Sequence, residues 1–118
     1  MTVALYLAVG AGEMKLQSTD PNQQPFLDYN YLQEAFDRRR MRDGVHKAVE
    51  LGRHPDYQAL VEELIEPSES DMASDDALDD WLKREATTGQ HISGTCKMGQ
   101  ASDVMAVVDQ YGRVHGME

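Results

Sequence analysis

The spacing of apolar residues changes near Asp37, and this change limits the folds that the chain can adopt. Before it, VALYLAV (residues 3–9), EMKLQS (13–18) and FLDYNY (26–31) show the continuous or alternating apolar patterns of strands. After it, apolar residues recur at intervals of three, four and seven, as on one face of a helix. We therefore predict an α+β chain, with an antiparallel β-sheet backed by about three helices.

Three strands are predicted before the first helix. The continuous apolar run of residues 3–9 suits a strand that is covered on both faces. The glycines of GAGE provide a turn into residues 13–18, whose alternation predicts a half-buried partner, so that the two strands form a β-hairpin. DPNQQP (residues 20–25) has turn chemistry, and we expect residues 26–31 to form a third strand that leaves the sheet at Asn30.

Two helices are predicted in the middle of the chain. The first runs from Arg38 to Gly52 with Asp37 as its N-cap. Its apolar stripe comprises Met41, Val45, Ala48, Val49 and Gly52. A second, short helix starts at residues 54–56 (HPD) and is ended by Pro67. Its buried stripe is predicted to contain Leu60, Val61, Leu64 and Ile65.

A third helix follows an acidic stretch. Ser74 is a suitable N-cap, and the carboxylates of Asp75 and Asp76 suit the positive end of a helix. We expect Gly89 to end this helix. Its inward-facing residues are predicted to be Leu78, Trp81 and Leu82, with the tryptophan in the core. The acidic residues between 71 and 80 lack the spacing of a calcium loop, which favours a solvated helix start.

Charge and composition exclude several classes of partner. Eleven Lys and Arg against twenty-one Asp and Glu give a net charge of −10, which repels nucleic acid and anionic lipid. The longest apolar run is far shorter than the roughly 20 residues that span a bilayer. A single cysteine excludes an internal disulfide and fits a reducing compartment. We expect one folded domain in the cytoplasm, with neither nucleic acid nor membrane as a partner.

The stretch QHISGTCKMG (residues 90–99) admits four interpretations from its residues alone. A structural zinc site would use His91 and Cys96, but such sites need four ligands, so we expect no metal. Cys96 could be a nucleophile activated by His91, although an isolated cysteine is more often a small buried hydrophobe. His91 could be a general base or acid, because imidazole titrates near neutral pH. A histidine that only hydrogen-bonds the backbone at a helix exit is the fourth.

Two short extended segments are predicted after this stretch. Residues 106–109 (AVVD) and 113–116 (RVHG) flank a turn formed by DQYG. We expect His115, in the second segment, to be structural. His46 and His54 are expected to be surface or capping residues.

HISGTCKMG (residues 91–99) followed by SDVMAVVDQYGRVHG (102–116) resembles the C-terminal signature of the glucose-methanol-choline (GMC) oxidoreductases, of the choline dehydrogenase-like type. That signature runs approximately H-P-x-G-T-x-x-M-G, a spacer, A-V-V-D and R-V-x-G. Residues 12–44 are also similar to the family's segment that leads from sheet to helices. Ile92 departs from the pattern, since it stands where the family commonly has proline.

The resemblance implies a substrate-binding region. Family members combine an FAD-binding part of Rossmann type with a substrate part built from an antiparallel sheet and helices. Residues 1–118 look like a partial C-terminal substrate domain without the FAD-binding domain. By position, His91 would be the catalytic base that takes the hydroxyl proton of an alcohol while hydride leaves for the flavin. A neutral imidazole near pH 7 suits this role.

The resemblance also implies roles for the neighbours of His91. Gly94 and Thr95 would hold the histidine in place close to the flavin, Met98 would pack behind it, and Cys96 would be a core residue. We further expect Tyr29 and Tyr31 to lie on the sheet face that lines the substrate pocket.

Two expected elements are missing from this sequence. No G-x-G-x-x-G opens a βαβ unit, and the family continues beyond R-V-x-G to a flavin-contacting Asp and a second catalytic His or Asn. We therefore expect a fragment of a larger flavoenzyme that alone binds FAD weakly or not at all and has no turnover, and that self-associates through the surface meant for its missing domain. The alternative is a free-standing acidic protein-interaction module without catalysis.

Overall fold

The computed structural model of this chain describes residues 1–91 and 93–117, and the family's proline position at Ile92 lies outside them. The chain divides into two compact units, Met1–Thr87 and Thr88–Glu118. The first unit contains strands β1 (Glu13–Lys15) and β2 (Phe26–Asp28) and helices α1 (Ala35–Gly52), α2 (Pro55–Gln58) and α3 (Asp75–Glu85). A two-stranded antiparallel sheet with three helices confirms the α+β prediction.

The sheet joins two of the predicted strands in an unexpected pair. β1 pairs with β2, with Met14 opposite Leu27. The prediction that EMKLQS would pair with residues 3–9 is therefore wrong, and so is its half-buried character, since all residues of both strands are exposed. Gly12 explains the local pairing, because a Cβ atom there would lie 1.9 Å from the carbonyl oxygen of Asp28. Only glycine lets the two segments approach so closely.

Residues 3–9 do not form a strand, which contradicts the prediction of a strand covered on both faces. Their backbone is held by side chains of α1 instead. The carboxylate of Asp37 accepts hydrogen bonds from the N–H groups of Val9 and Gly10, at 3.0 and 2.9 Å. The guanidinium of Arg40 donates to the carbonyl oxygens of Tyr6 and Leu7. Because side chains satisfy these backbone groups, a neighbouring strand is not required.

Asp37 was predicted to be the N-cap of the first helix, and this is wrong. Glu34 occupies the N-cap position, and its side chain forms no capping hydrogen bond. Asp37 lies within the first turn of α1 and is only 2% exposed, since its carboxylate faces the segment that contains Val9. An aspartate just before a helical pattern is typical of an N-cap. The carboxylate of Asp37 instead accepts a hydrogen bond from the N–H of Val9, 28 residues away in the chain.

The hydrophobic core of the first unit lies between α1 and α3. Its buried members are Val45, Val49, Leu78 and Leu82. Packed around them are Val3, Leu32, Met41, Met72 and Trp81. This arrangement confirms Met41, Val45 and Val49 of the stripe predicted for α1, and Leu78 and Leu82 of the stripe predicted for α3, with Trp81 packed against the core. Burial of such side chains contributes about 1.5–3 kcal/mol each, so this contact is the main stabilising feature of the unit.

Ion pairs at the edge of the core fix the two helices to each other. Arg42 contacts Asp79 at 2.6 Å and Asp75 at 3.1 Å, and Arg38 contacts Asp79 at 3.1 Å. The hydrogen bond that Arg42 donates to Asp79, together with the charges of the nearby aspartates, raises the pKa of Arg42 despite partial burial. Charge-assisted contacts of this kind add orientation to the apolar packing.

The predictions for the other helices hold in part. The side chain of Ser74 accepts from the N–H of Ala77, which confirms this cap, but α3 ends at Glu85 and not at Gly89.

α2 has only four residues, and its predicted stripe is wrong, since Leu60 and Ile65 are 81% and 82% exposed. Two features of the sequence oppose a longer α2. Glu62 and Glu66 repel each other at helical spacing, and the residue before a proline avoids helical geometry.

Candidate functional site

His91 lies in the second unit, at the start of a turn that is open to solvent. The residue is exposed, and it follows Gln90, which has a positive φ of 61°. Gly94 also has a positive φ, of 94°, and a Cβ atom there would have no neighbour within 4 Å. The turn therefore requires glycine at position 94 for its backbone conformation and not for lack of space.

Thr95 and Cys96 complete this turn, and both are exposed. The prediction that Cys96 is a core residue is therefore wrong, because a turn with its backbone in solvent directs the short thiol outward as well. Met98, which we expect to pack behind His91, is 58% exposed.

The end of the turn is anchored on a small arrangement of three extended segments. Isolated bridges join Met98 to Val108 in parallel and Val108 to Val114 in antiparallel orientation. The carbonyl oxygen of Lys97 accepts from the N–H groups of Val107 and Val108, at 2.8 and 3.2 Å. The predicted extended character of AVVD and RVHG is thus confirmed at Val108 and Val114. The intervening turn is closed by Gly112, with a φ of 77°.

An ion pair also holds the same segment. The Lys97 ammonium donates to the Asp103 carboxylate at 2.6 Å. This hydrogen bond, with a further one from the N–H of Met105, lowers the pKa of Asp103. The sequence did not single out this pair, because a spacing of six residues has no regular secondary structure that would bring them together.

His115 has the structural placement that we predicted. Its Nε2 atom lies 3.1 Å from the carbonyl oxygen of Gly99, and its backbone N–H donates to the carbonyl oxygen of Val107 at 2.9 Å. The ring is partly buried. The residue thereby connects the segment after the His91 turn with the end of the described chain.

Tyr29 and Tyr31 belong to the first unit, directly after β2. Their rings are stacked, with centroids 5.1 Å apart and planes at 30°. β2 ends at Asp28, before the Asn30 at which we predicted that the strand would leave the sheet. Asn30 has a φ of 49°, so the chain bends there. Its side chain donates to the carbonyl oxygen of Ala11, which stabilises the bend. The two tyrosines are 48% and 44% exposed and present an aromatic surface.

The remaining candidates have structural roles. His54 caps α2 by accepting from the N–H of Asp56, and His46 is exposed on α1, as we predicted. In the acidic run, Asp71 accepts from Ser68 and pairs with Arg84, which lowers the pKa of Asp71.

The described parts of the chain contain no cluster of three or more His, Cys, Asp or Glu side chains suited to a metal ion. Within residues 1–91 and 93–117, no helix combines the length and the apolar character needed to cross a bilayer.

Comparison with known proteins identifies the class. The family model described as GMC oxidoreductase, for the C-terminal region, matches residues 8–118. The chain therefore belongs to the GMC oxidoreductase family, as its resemblance predicted.

Relatives and a solved structure agree with this assignment. The chain is 42% identical over 107 residues to an oxygen-dependent choline dehydrogenase of Burkholderia multivorans, and 41% identical to one of Burkholderia cenocepacia. In both cases the match covers 91% of this chain and 18% of the relative. It is also similar to the crystal structure of pyridoxine 4-oxidase from Mesorbium loti, with a TM-score of 0.73 and 27% identity, over 91% of this chain and 20% of that one. The chain thus spans about a fifth of the length of these proteins.

Proposed function

We propose that this chain is the substrate-binding C-terminal region of an FAD-dependent oxidoreductase that oxidises the CH–OH group of an alcohol, with His91 as the proton acceptor. The observation that carries the proposal is the family match over residues 8–118, which includes the whole turn that begins at His91. The small share of each relative that is matched supports a larger parent protein, with the remainder of the polypeptide as the partner of this region.

His91 has the chemistry and the access that a base requires. Oxidation of an alcohol removes one proton from the hydroxyl oxygen and one hydride from the carbon. A neutral imidazole has one ring nitrogen with a free lone pair, so it can accept that proton. The exposed position of His91 in this chain leaves it reachable by an alcohol bound at the turn.

The residues around His91 fit the reacting end of a flavin. FAD, when bound, supplies the acceptor for the hydride. Gly94 offers backbone without a side chain, and the space next to its Cα is open over 4 Å. Thr95 adds an exposed hydroxyl, which can donate or accept a hydrogen bond. These two residues, with His91, would hold the flavin, and the phosphate-binding glycine motif would come from the rest of the parent.

A small alcohol is the proposed substrate class. The similar proteins are named for choline and pyridoxine, and both of these compounds carry a primary hydroxyl group. We propose that the stacked rings of Tyr29 and Tyr31 line the substrate pocket, because an exposed aromatic surface binds small organic molecules through apolar contact.

The isolated 118 residues are expected to be colourless, without turnover and self-associating. Many large apolar side chains are exposed, among them Leu7 at 92% and Leu60 at 81%. Such surface favours association when a neighbouring domain is absent. Analytical ultracentrifugation that gave a clean monomer at high concentration would contradict this expectation.

Alcohol-dependent flavin reduction in the full-length parent tests the catalytic proposal. We expect His91→Ala to lower the reduction rate about 10²- to 10⁴-fold while flavin absorbance is retained, as for loss of a general base. His46→Ala, on the exposed face of α1, is the matched control and should reduce flavin normally. A native rate in His91→Ala would show that the histidine belongs only to a turn.

A further inference from the structure

The ring of His115 connects two segments of the second unit that are not neighbours in its bridge pattern. The segment at Val114 pairs with Val108, and Val108 pairs with Met98. The ring reaches past this middle segment to the carbonyl oxygen of Gly99, at 3.1 Å from Nε2. Because a carbonyl oxygen can only accept, Nε2 must carry the proton in this contact.

Gly99 has little conformational freedom as a result. Its N–H donates to the carbonyl oxygen of Val108 at 3.0 Å, while its own carbonyl oxygen accepts from His115. A Cβ atom at this position would lie 2.9 Å from the Cβ of Ala106. Contacts on both sides therefore fix the position of the backbone where the His91 turn ends.

We propose that His115 is a positioning residue for proton transfer by His91. It would act by holding Gly99, and through it the C-terminal end of the turn, without contact to the substrate. This inference rests on the proposed function, in which His91 accepts the hydroxyl proton. Proton transfer requires the two heavy atoms to lie within hydrogen-bond reach, and a displacement of about 1 Å can cost about 100-fold in rate.

A matched pair of variants separates the hydrogen bond from the volume of the side chain. His115→Gln keeps an N–H donor at a reach similar to that of Nε2, whereas His115→Met has a comparable length and no N–H donor. His115→Phe is the second variant without a donor, and it keeps the ring. All are made in the full-length flavoenzyme and compared by stopped-flow flavin reduction over a range of alcohol concentrations.

We expect the variants without a donor to lower the limiting rate of flavin reduction about 10- to 100-fold. The apparent Kd for the alcohol and the flavin content should change little, and His115→Gln should restore most of the rate. Equal losses in His115→Gln and His115→Met, or a native rate in both His115→Met and His115→Phe, would overturn the proposal.

A double-mutant cycle tests whether His115 acts through His91. If it does, His91→Ala with His115→Met reduces flavin no more slowly than His91→Ala alone. Losses that multiply in the double variant would overturn the positioning role and leave the proposed function intact. A native rate in His91→Ala would overturn both, so the two failures are distinguishable.

Discussion

The two units of this chain are stabilised in different ways. In Met1–Thr87, α1 and α3 enclose a core of apolar side chains, and ion pairs link the two helices. In the described part of Thr88–Glu118, no residue is buried to the extent of that core, and order comes from backbone hydrogen bonds around Val108 and from an exposed ion pair. The stability of the first unit therefore depends on apolar packing, and the stability of the second depends on the geometry of individual polar contacts.

The largest effect is expected in the core of the first unit. Leu78 is 1% exposed, and Leu78→Ala should lower the free energy of unfolding by about 2–5 kcal/mol, because it leaves a cavity between α1 and α3. Urea denaturation followed by circular dichroism measures this change. Leu60→Ala, at a residue that is 81% exposed, is the control and should stay within about 0.5 kcal/mol. Similar losses in both variants would show that packing does not distinguish these positions.

The next effect concerns the buried carboxylate that holds the first ten residues. Asp37→Ala leaves the N–H groups of Val9 and Gly10 without their acceptor and should cost about 1–3 kcal/mol. Amide hydrogen exchange at these two residues should accelerate, whereas exchange at Leu82 should change less. Asp37→Asn keeps one acceptor oxygen and should give an intermediate result. Unchanged exchange at Val9 in Asp37→Ala would contradict the anchoring role.

A comparable test in the second unit is Gly99→Ala. The added Cβ would overlap Ala106 at 2.9 Å, so we expect a cost of about 1–3 kcal/mol and faster amide exchange at Val108. Combining it with Ala106→Gly should recover part of the loss. The control is Gly52→Ala at the end of α1, where an added Cβ would meet nothing within 4 Å beyond the adjacent residues and the backbone of its own helix, and it should be neutral or stabilising. If Gly99→Ala is equally harmless, the second unit is less constrained than its contacts indicate.

The smallest effect is the pH dependence of the Lys97–Asp103 pair. The hydrogen bond from Lys97 lowers the pKa of Asp103 in the folded chain. The stabilisation that the ion pair contributes is therefore complete above about 3.9, the pKa of an aspartate in the unfolded chain. It is lost as the pH falls through the lower pKa that Asp103 has in the folded chain. Lys97→Gln should raise the pKa of Asp103, as followed by NMR titration of the carboxyl carbon. Salt should weaken the effect, since the pair is exposed.

The sequence predicted the helices well where apolar spacing and capping agree. Val45, Val49, Leu78 and Leu82 are buried as their spacing indicated, and Ser74 caps α3. Prediction from the sequence failed where contacts between residues far apart in the chain decided the structure instead of a local pattern. Residues 3–9 have the composition of a covered strand, yet Asp37 and Arg40 hold their backbone from α1. No local rule identifies a carboxylate that serves residues 28 positions away.

For the candidate site, the sequence indicated the turn residues but not their surroundings. His91, Gly94 and Thr95 follow from the motif, and their proposed roles await the flavin measurements. The exposure of Cys96 was not predictable, because a lone cysteine is usually buried. The contact between His115 and Gly99 joins residues 16 positions apart, and nothing in the spacing indicates it.

The sequence by itself determined the family, the apolar stripes of α1 and α3 and the cap of α3 at Ser74, because motif, period and capping are local properties. Tertiary structure alone decided which segments pair and which polar groups meet. β1 pairs with β2 because Gly12 permits a close approach to the backbone of Asp28. His115 reached Gly99 because Val108 places both segments beside it. Such contacts depend on distances in space between residues far apart in the chain, and these distances exist only once the chain has folded.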